Sequence, residues 1–98
     1  MLKELKNLRK RIDKLDFEIL QRLVERFSLV QKIARSKAKN LLPVLDKKRE
    51  ERVLRQRKIW AKKLNLDETL IEKIFKLLIK EARLKQKLII KTTQRIGF

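Results

Sequence analysis

From Leu5 to Ile33 the apolar residues Leu5, Leu8, Ile12, Leu15, Ile19, Leu23, Phe27, Val30 and Ile33 follow one another in steps of three and four without a break. That spacing is the stripe of one amphipathic α-helix and is incompatible with the two-residue alternation of a strand. No strong helix breaker interrupts it, because the single proline is Pro43 and the single glycine is Gly97. A residue before proline is pushed out of the α region, so the first helix is predicted to end near Lys39, ahead of Asn40-Leu41-Leu42-Pro43.

A second helix follows Val44, with Asp46 near its start, where a carboxylate accepts from unpaired N–H groups and suits the helix dipole. Its apolar side is predicted to bury Val53, Leu54, Trp60, Ala61 and Leu64. Asn65-Leu66-Asp67 interrupts it, and Asp67 is positioned to cap a third helix. That helix carries Leu70, Ile71, Ile74, Phe75, Leu78, Ala82 and Gln86 on or near one face. Lys91 to Phe98 is less regular and reads as a frayed tail. The fold class is therefore all-α, with one long helix and two shorter ones in a single domain over residues 1–98.

Size settles what such helices must do. A first helix of some 35 residues is roughly 50 Å long, whereas a compact monomer of this length has a radius of gyration near 13 Å. Helices two and three cover only part of the apolar stripe, and a second copy lying alongside buries the rest. The expected assembly is an interlocked helical-bundle homodimer. Other supports for a small domain are missing: there is no cysteine for disulfides, and with no histidine a zinc or redox-metal site would rest on carboxylates alone. No metal and no cofactor is expected. Catalytic pairs built on His or Cys are excluded too, which leaves carboxylates, or positioning and electrostatics, to carry any chemistry.

Lys and Arg number 29 against 12 acids, a formal net charge of +17. Such an excess favours an anionic partner. It is +7 over residues 1–40, +6 over 41–66 and +4 over 67–98, so it is dispersed and not a basic tail. Much of it is an ordinary solvated surface. No apolar stretch approaches the ~20 residues that span a bilayer, and MLKELKNLRKR lacks an apolar signal core. Its arginines suit a transit segment, yet it runs in register with the following helix. The default expectation is a cytoplasmic protein with no membrane contact.

Several polar residues border the apolar stripes. Arg26 and Lys37, eleven apart, return to nearly one face roughly 16 Å from each other. Arg9 lies roughly 25 Å before Arg26, too far for one small ligand to meet both in one chain, though an antiparallel partner brings its own Arg9 close. Asp46, Arg49 and Glu50 share a face of the second helix, and Ala82 and Gln86 lie one turn apart on the third. Each has an ordinary reading: an arginine beside a stripe snorkels, Asp46-Arg49-Glu50 is a helix-start ion cluster, and Gln86 is half exposed.

In their order and spacing, these residues resemble the all-helical class of chorismate mutases, in which three helices per subunit interlock into a dimer with two shared pockets. The resemblance covers roughly residues 5–90. It rests on Leu8-Arg9-Lys10-Arg11-Ile12-Asp13-Lys14-Leu15-Asp16, Leu23-Val24-Glu25-Arg26, Lys37, Pro43-Val44-Leu45-Asp46-Lys47-Lys48-Arg49-Glu50 and Gln86. It implies isomerisation of chorismate to prephenate, in the shikimate pathway to the aromatic amino acids. Arg9 from the partner subunit and Arg26 would clamp the two carboxylates. Lys37 and Gln86 would bond the ether oxygen whose link to carbon breaks. Glu50 would hold the ring hydroxyl with Asp46 near it through its backbone, and Arg49 would support these groups. Many relatives place a carboxylate-binding serine where this chain has Ala82, so somewhat weaker substrate binding is implied.

The composition suits that reaction. An intramolecular rearrangement needs no nucleophile, metal or obligatory proton transfer; it needs the flexible dianion held in its reactive conformer and donors aimed at charge growing on the ether oxygen. Three rivals stand beside this reading. An isochorismate–pyruvate lyase uses a similar cationic pocket, though Glu50 beside Arg49 favours the mutase. A basic helical nucleic-acid-binding protein fits the charge but not its dispersal, nor the absence of tyrosine and of a helix-turn-helix signature. A non-catalytic relative is at odds with the full set of matched polar residues.

Overall fold

The computed structural model describes residues 1–95, with side chains through Thr92. It contains three helices, α1 (Leu2–Lys39), α2 (Lys47–Lys63) and α3 (Glu68–Arg95), and no strand among the described residues. At 38 residues α1 is about 57 Å long. It dominates a molecule measuring 62 × 28 × 14 Å.

The helix ends follow from local chemistry. At the end of α1, Leu42 N donates to Lys37 O (2.8 Å) and Leu41 N to Ala38 O (3.3 Å), with Leu41 left-handed at φ 56°. The end of α2 repeats this: Leu66 N donates to Ala61 O and Asn65 N to Lys62 O, with Asn65 at φ 56°. Both are Schellman closures. Asn65 suits that conformation, whereas Leu41, without glycine's freedom, adopts it at a cost of about 1–2 kcal/mol. Pro43 two residues later prevents continuation. Asp46 Oδ1 accepts from Arg49 N at 3.0 Å and caps α2. Asp67 Oδ1 accepts from Thr69 N at 2.9 Å and caps α3.

α3 is the hub. It packs against both α1 and α2, which do not pack against each other among the described residues. The buried apolar residues are few and small: Val30 and Ala34 of α1, Val53 and Ala61 of α2, and Ala82 of α3. All lie at one end of the molecule, beside the C-terminal half of α1. The other half of α1 keeps Leu5, Leu8, Ile12, Leu15 and Ile19 in solvent.

The apolar faces read from the sequence are covered only in part. On α2, Trp60 and Leu64 are exposed and Leu54 only half buried, because the packed line runs through Val53 and Ala61 while Leu64 is already the C-cap. On α3, Leu70 and Ile74, placed on or near the apolar face, are exposed among the described residues. Within the stretch expected to fray, α3 stays helical through Arg95, with Thr92 Oγ1 donating to Leu88 O at 2.9 Å, and Ile96 to Phe98 lie outside the described residues. No described helix is long and apolar enough to cross a membrane.

Candidate active site

Because α1 and α2 stand apart on α3, a gap of about 300 Å³ opens among the three helices. α1 contributes Arg26, Val30, Ile33 and Lys37 to it; the following loop and α2 contribute Val44, Asp46, Arg49, Glu50, Val53 and Arg57. α3 closes it with Ile79, Ala82, Arg83 and Gln86. Apolar side chains (Val30, Ile33, Val44, Val53, Ile79 and Ala82) share the walls with charged and amide groups, the usual mixture of a small-ligand site.

At one end, Lys37 Nζ donates to Gln86 Oε1 (2.8 Å) and to Val44 O (2.8 Å). An ammonium has three donors and no acceptor, so the amide must turn its oxygen to Lys37 and keep its N–H groups for another acceptor. One ammonium proton is likewise left over. Gln86 is buried and Lys37 half buried, so both donors are fixed in a place of low polarisability. They are oriented by α1, the α1–α2 loop and α3 together.

The other end is cationic. Arg26 Nη1 is sealed from solvent without a hydrogen-bond partner. Burial holds its guanidinium pKa below the usual arginine value, and the nearby charge of Arg49 lowers it further. An unpaired buried donor costs stability, so its retention points to an acceptor supplied from outside the chain. Between the two ends, Glu50 is gripped by Arg83, whose Nε and Nη2 donate to Glu50 Oε2 (3.2 Å) and Oε1 (2.9 Å).

Of the residues expected from the sequence, Arg26, Lys37, Asp46, Arg49, Glu50, Ala82 and Gln86 all line this one cavity. Arg9 does not; it sits exposed on the half of α1 that reaches away from α2 and α3. The helix-start ion cluster is not what forms: Asp46 caps the helix through Arg49 N, and Glu50 pairs across to α3. Two charged cavity residues, Arg57 and Arg83, escaped the sequence reading. Arg83 had no local signal, since its partner is 33 residues away. Arg57 had a weak one, a cation three residues before the aromatic Trp60. No group of three carboxylates able to hold a metal gathers among the described residues.

The family model for chorismate mutase type II matches residues 8–87, which include every candidate residue from Arg9 to Gln86. The chain belongs to the chorismate mutase type II family. A chorismate mutase of Methanocaldococcus jannaschii is 34% identical over 94 residues, covering 96% of this chain and 95% of that protein. A bifunctional chorismate mutase/prephenate dehydratase of Buchnera aphidicola subsp. Schizaphis graminum is 39% identical over 84 residues. The T-protein of Haemophilus influenzae is 32% identical over 81 residues. The chain spans 22% of the length of each of these last two proteins. Arg26, Lys37, Asp46, Arg49, Glu50 and Gln86 all fall within the matched residues and line the cavity.

Proposed function

We propose that residues 1–98 act as one unit, a chorismate mutase that converts chorismate to prephenate in this cavity, and that two copies interlock to complete it. The observation that carries the site is the pairing of Lys37 on Gln86 at one end with the unpartnered Arg26 guanidinium at the other. In the rearrangement the ether C–O bond breaks as a new C–C bond forms, and no proton moves. Charge grows on the ether oxygen, where the free N–H groups of Lys37 and Gln86 stabilise it more than they stabilise the ground state. Arg26 fixes a carboxylate, Glu50 on Arg83 accepts from the ring hydroxyl, Asp46 holds the start of α2, and Arg49 balances the acids. The apolar floor at Val30, Val53 and Ala82 favours the folded, compact conformer of the substrate over the extended one.

The second copy is supported by surface. The chain exposes 8770 Å², against roughly 6000 Å² for a compact monomer of its mass. The excess is on the scale of a permanent dimer interface. Its radius of gyration, 17.8 Å, likewise exceeds the ~13 Å of a compact chain. In an antiparallel pair Arg9 of the partner subunit comes to the Arg26 end and takes the second carboxylate.

Purified chain is to be mixed with chorismate, with prephenate and pyruvate assayed separately, and its mass in solution determined by sedimentation. Prephenate without pyruvate from a dimer is the expected result. Pyruvate release, or turnover by a strict monomer, would overturn the reaction or the assembly respectively.

A further inference from the structure

We propose that Arg57 is an additional substrate-binding residue, a guanidinium that takes a carboxylate at the Arg26 end of the cavity. The proposal rests on the reading of the cavity as a site for a dicarboxylate. Arg57 belongs to α2 and lines the cavity together with Arg26 and Arg49. Its guanidinium carbon lies 4.7 Å from the ring centroid of Trp60 on α2 and 5.7 Å from that of Phe75 on α3. The rings attract the cation and fix its orientation, but they satisfy none of the N–H donors lying in its plane.

One of those donors, Nη1, gives a hydrogen bond to Gln56 Oε1 at 2.7 Å, but among the described residues no carboxylate pairs with the guanidinium. Arg57 Nε is sealed from solvent with no acceptor, as is Arg26 Nη1. The acids that face this part of the molecule are engaged elsewhere: Glu50 by Arg83, Asp46 by the Arg49 backbone, and Glu72 by Lys58 and Lys76. The cations also repel one another, and burial together with Arg49 and Arg26 lowers the Arg57 pKa from its usual value. Ala82, on the facing wall, contributes no polar atom. Snorkelling alone would leave the Arg57 head in water, not with its Nε sealed among other cations. A planar anion placed between Arg26 and Arg57 answers both orphaned donors and relieves the repulsion, and a carboxylate matches the geometry of the guanidinium fork.

Chorismate kinetics of the full chain are to be compared with those of Arg57→Met, which keeps an apolar stem on the rings, and Arg57→Lys, which keeps the charge. Trp60 is the sole tryptophan, so its emission reports the stacked guanidinium while prephenate is titrated. Arg57→Met should raise KM roughly ten- to a hundredfold with a much smaller change in kcat, Arg57→Lys should recover part of the loss, and the Trp60 response should vanish in Arg57→Met. A KM within about twofold of wild type in Arg57→Met, with the Trp60 response intact, overturns the proposal. Should Arg57→Met lose its helical circular-dichroism signal, wild-type Trp60 decides, and silence at saturating prephenate overturns the role. If wild-type chain turns over no chorismate, the proposed reaction fails separately. Trp60 titrated with adipate then reads the dicarboxylate role, a response supporting it and no response overturning it.

Discussion

Lys37→Ala separates two jobs of one ammonium. In the folded chain Lys37 gives one hydrogen bond to Gln86 Oε1 and one to Val44 O, both at 2.8 Å. Those bonds aim the third donor, and removing the side chain deletes an oriented positive donor facing the cavity. Loss of one such donor at a developing oxyanion lowers kcat on the order of 10²–10³-fold, or about 2.7–4 kcal/mol. The same change strands the buried Gln86 amide oxygen and the Val44 carbonyl, which costs about 1–3 kcal/mol of stability for each group left dry. Turnover must therefore be measured well below the melting transition of the variant, with helical content and mass in solution checked first. The expected outcome is a fall of at least a hundredfold in kcat with KM changed far less. A folded, dimeric Lys37→Ala within about tenfold of wild-type kcat would refute the claim that this ammonium acts on the breaking bond.

Three further outcomes follow from the geometry. Inactive Arg9→Ala and Arg26→Ala chains, mixed under conditions of proven subunit exchange, should regain activity, since a mixed dimer holds one pocket with both arginines; no recovery would sink the shared pocket. Arg83→Met should free the Glu50 carboxylate from its two-point grip and lower kcat/KM about tenfold, read by steady-state kinetics, with Arg83→Lys intermediate because it restores charge without the fork. Glu72, hydrogen-bonded by Lys58 of α2 and Lys76 of α3, is held below the usual carboxylate pKa by those bonds. A depressed folded pKa means its contribution is complete above about pH 4.5 and lost as pH falls through the lower folded value. The Tm gap between wild type and Glu72→Gln should then be present at neutral pH and close in acid; a gap that widens in acid would reverse the sign.

The sequence announced the helices because their cause is local. Steps of three and four wrote α1, Pro43 and the Asp46 cap bounded it and α2, and Asp67 opened α3. Spacing within each helix and the family resemblance singled out seven of the residues that line the cavity. What the sequence concealed depends on how helices meet. Arg83 is unremarkable until α3 lies against α2 and brings Glu50 within reach. Arg57 reads as a surface cation until Phe75 of α3 joins Trp60 beside it. Trp60 and Leu64 misled for the converse reason, since apolar character marks a face that seeks cover without saying that this chain provides it. Leu41 gave no hint either, because a left-handed leucine is imposed by the closure of the helix and not favoured by the residue.

The hub position of α3 fixes the order in which this protein becomes a structure during synthesis. α1 and α2 emerge first, and neither has a surface of the other to settle on, because among the described residues the helix that each packs against is α3. A nascent chain halted before Glu68 is two tethered amphipathic rods without a tertiary contact between them, exposed to any apolar surface nearby. The ribosome must release most of the last 28-residue helix before the cavity exists at all. For this fold the cavity is among the last things made.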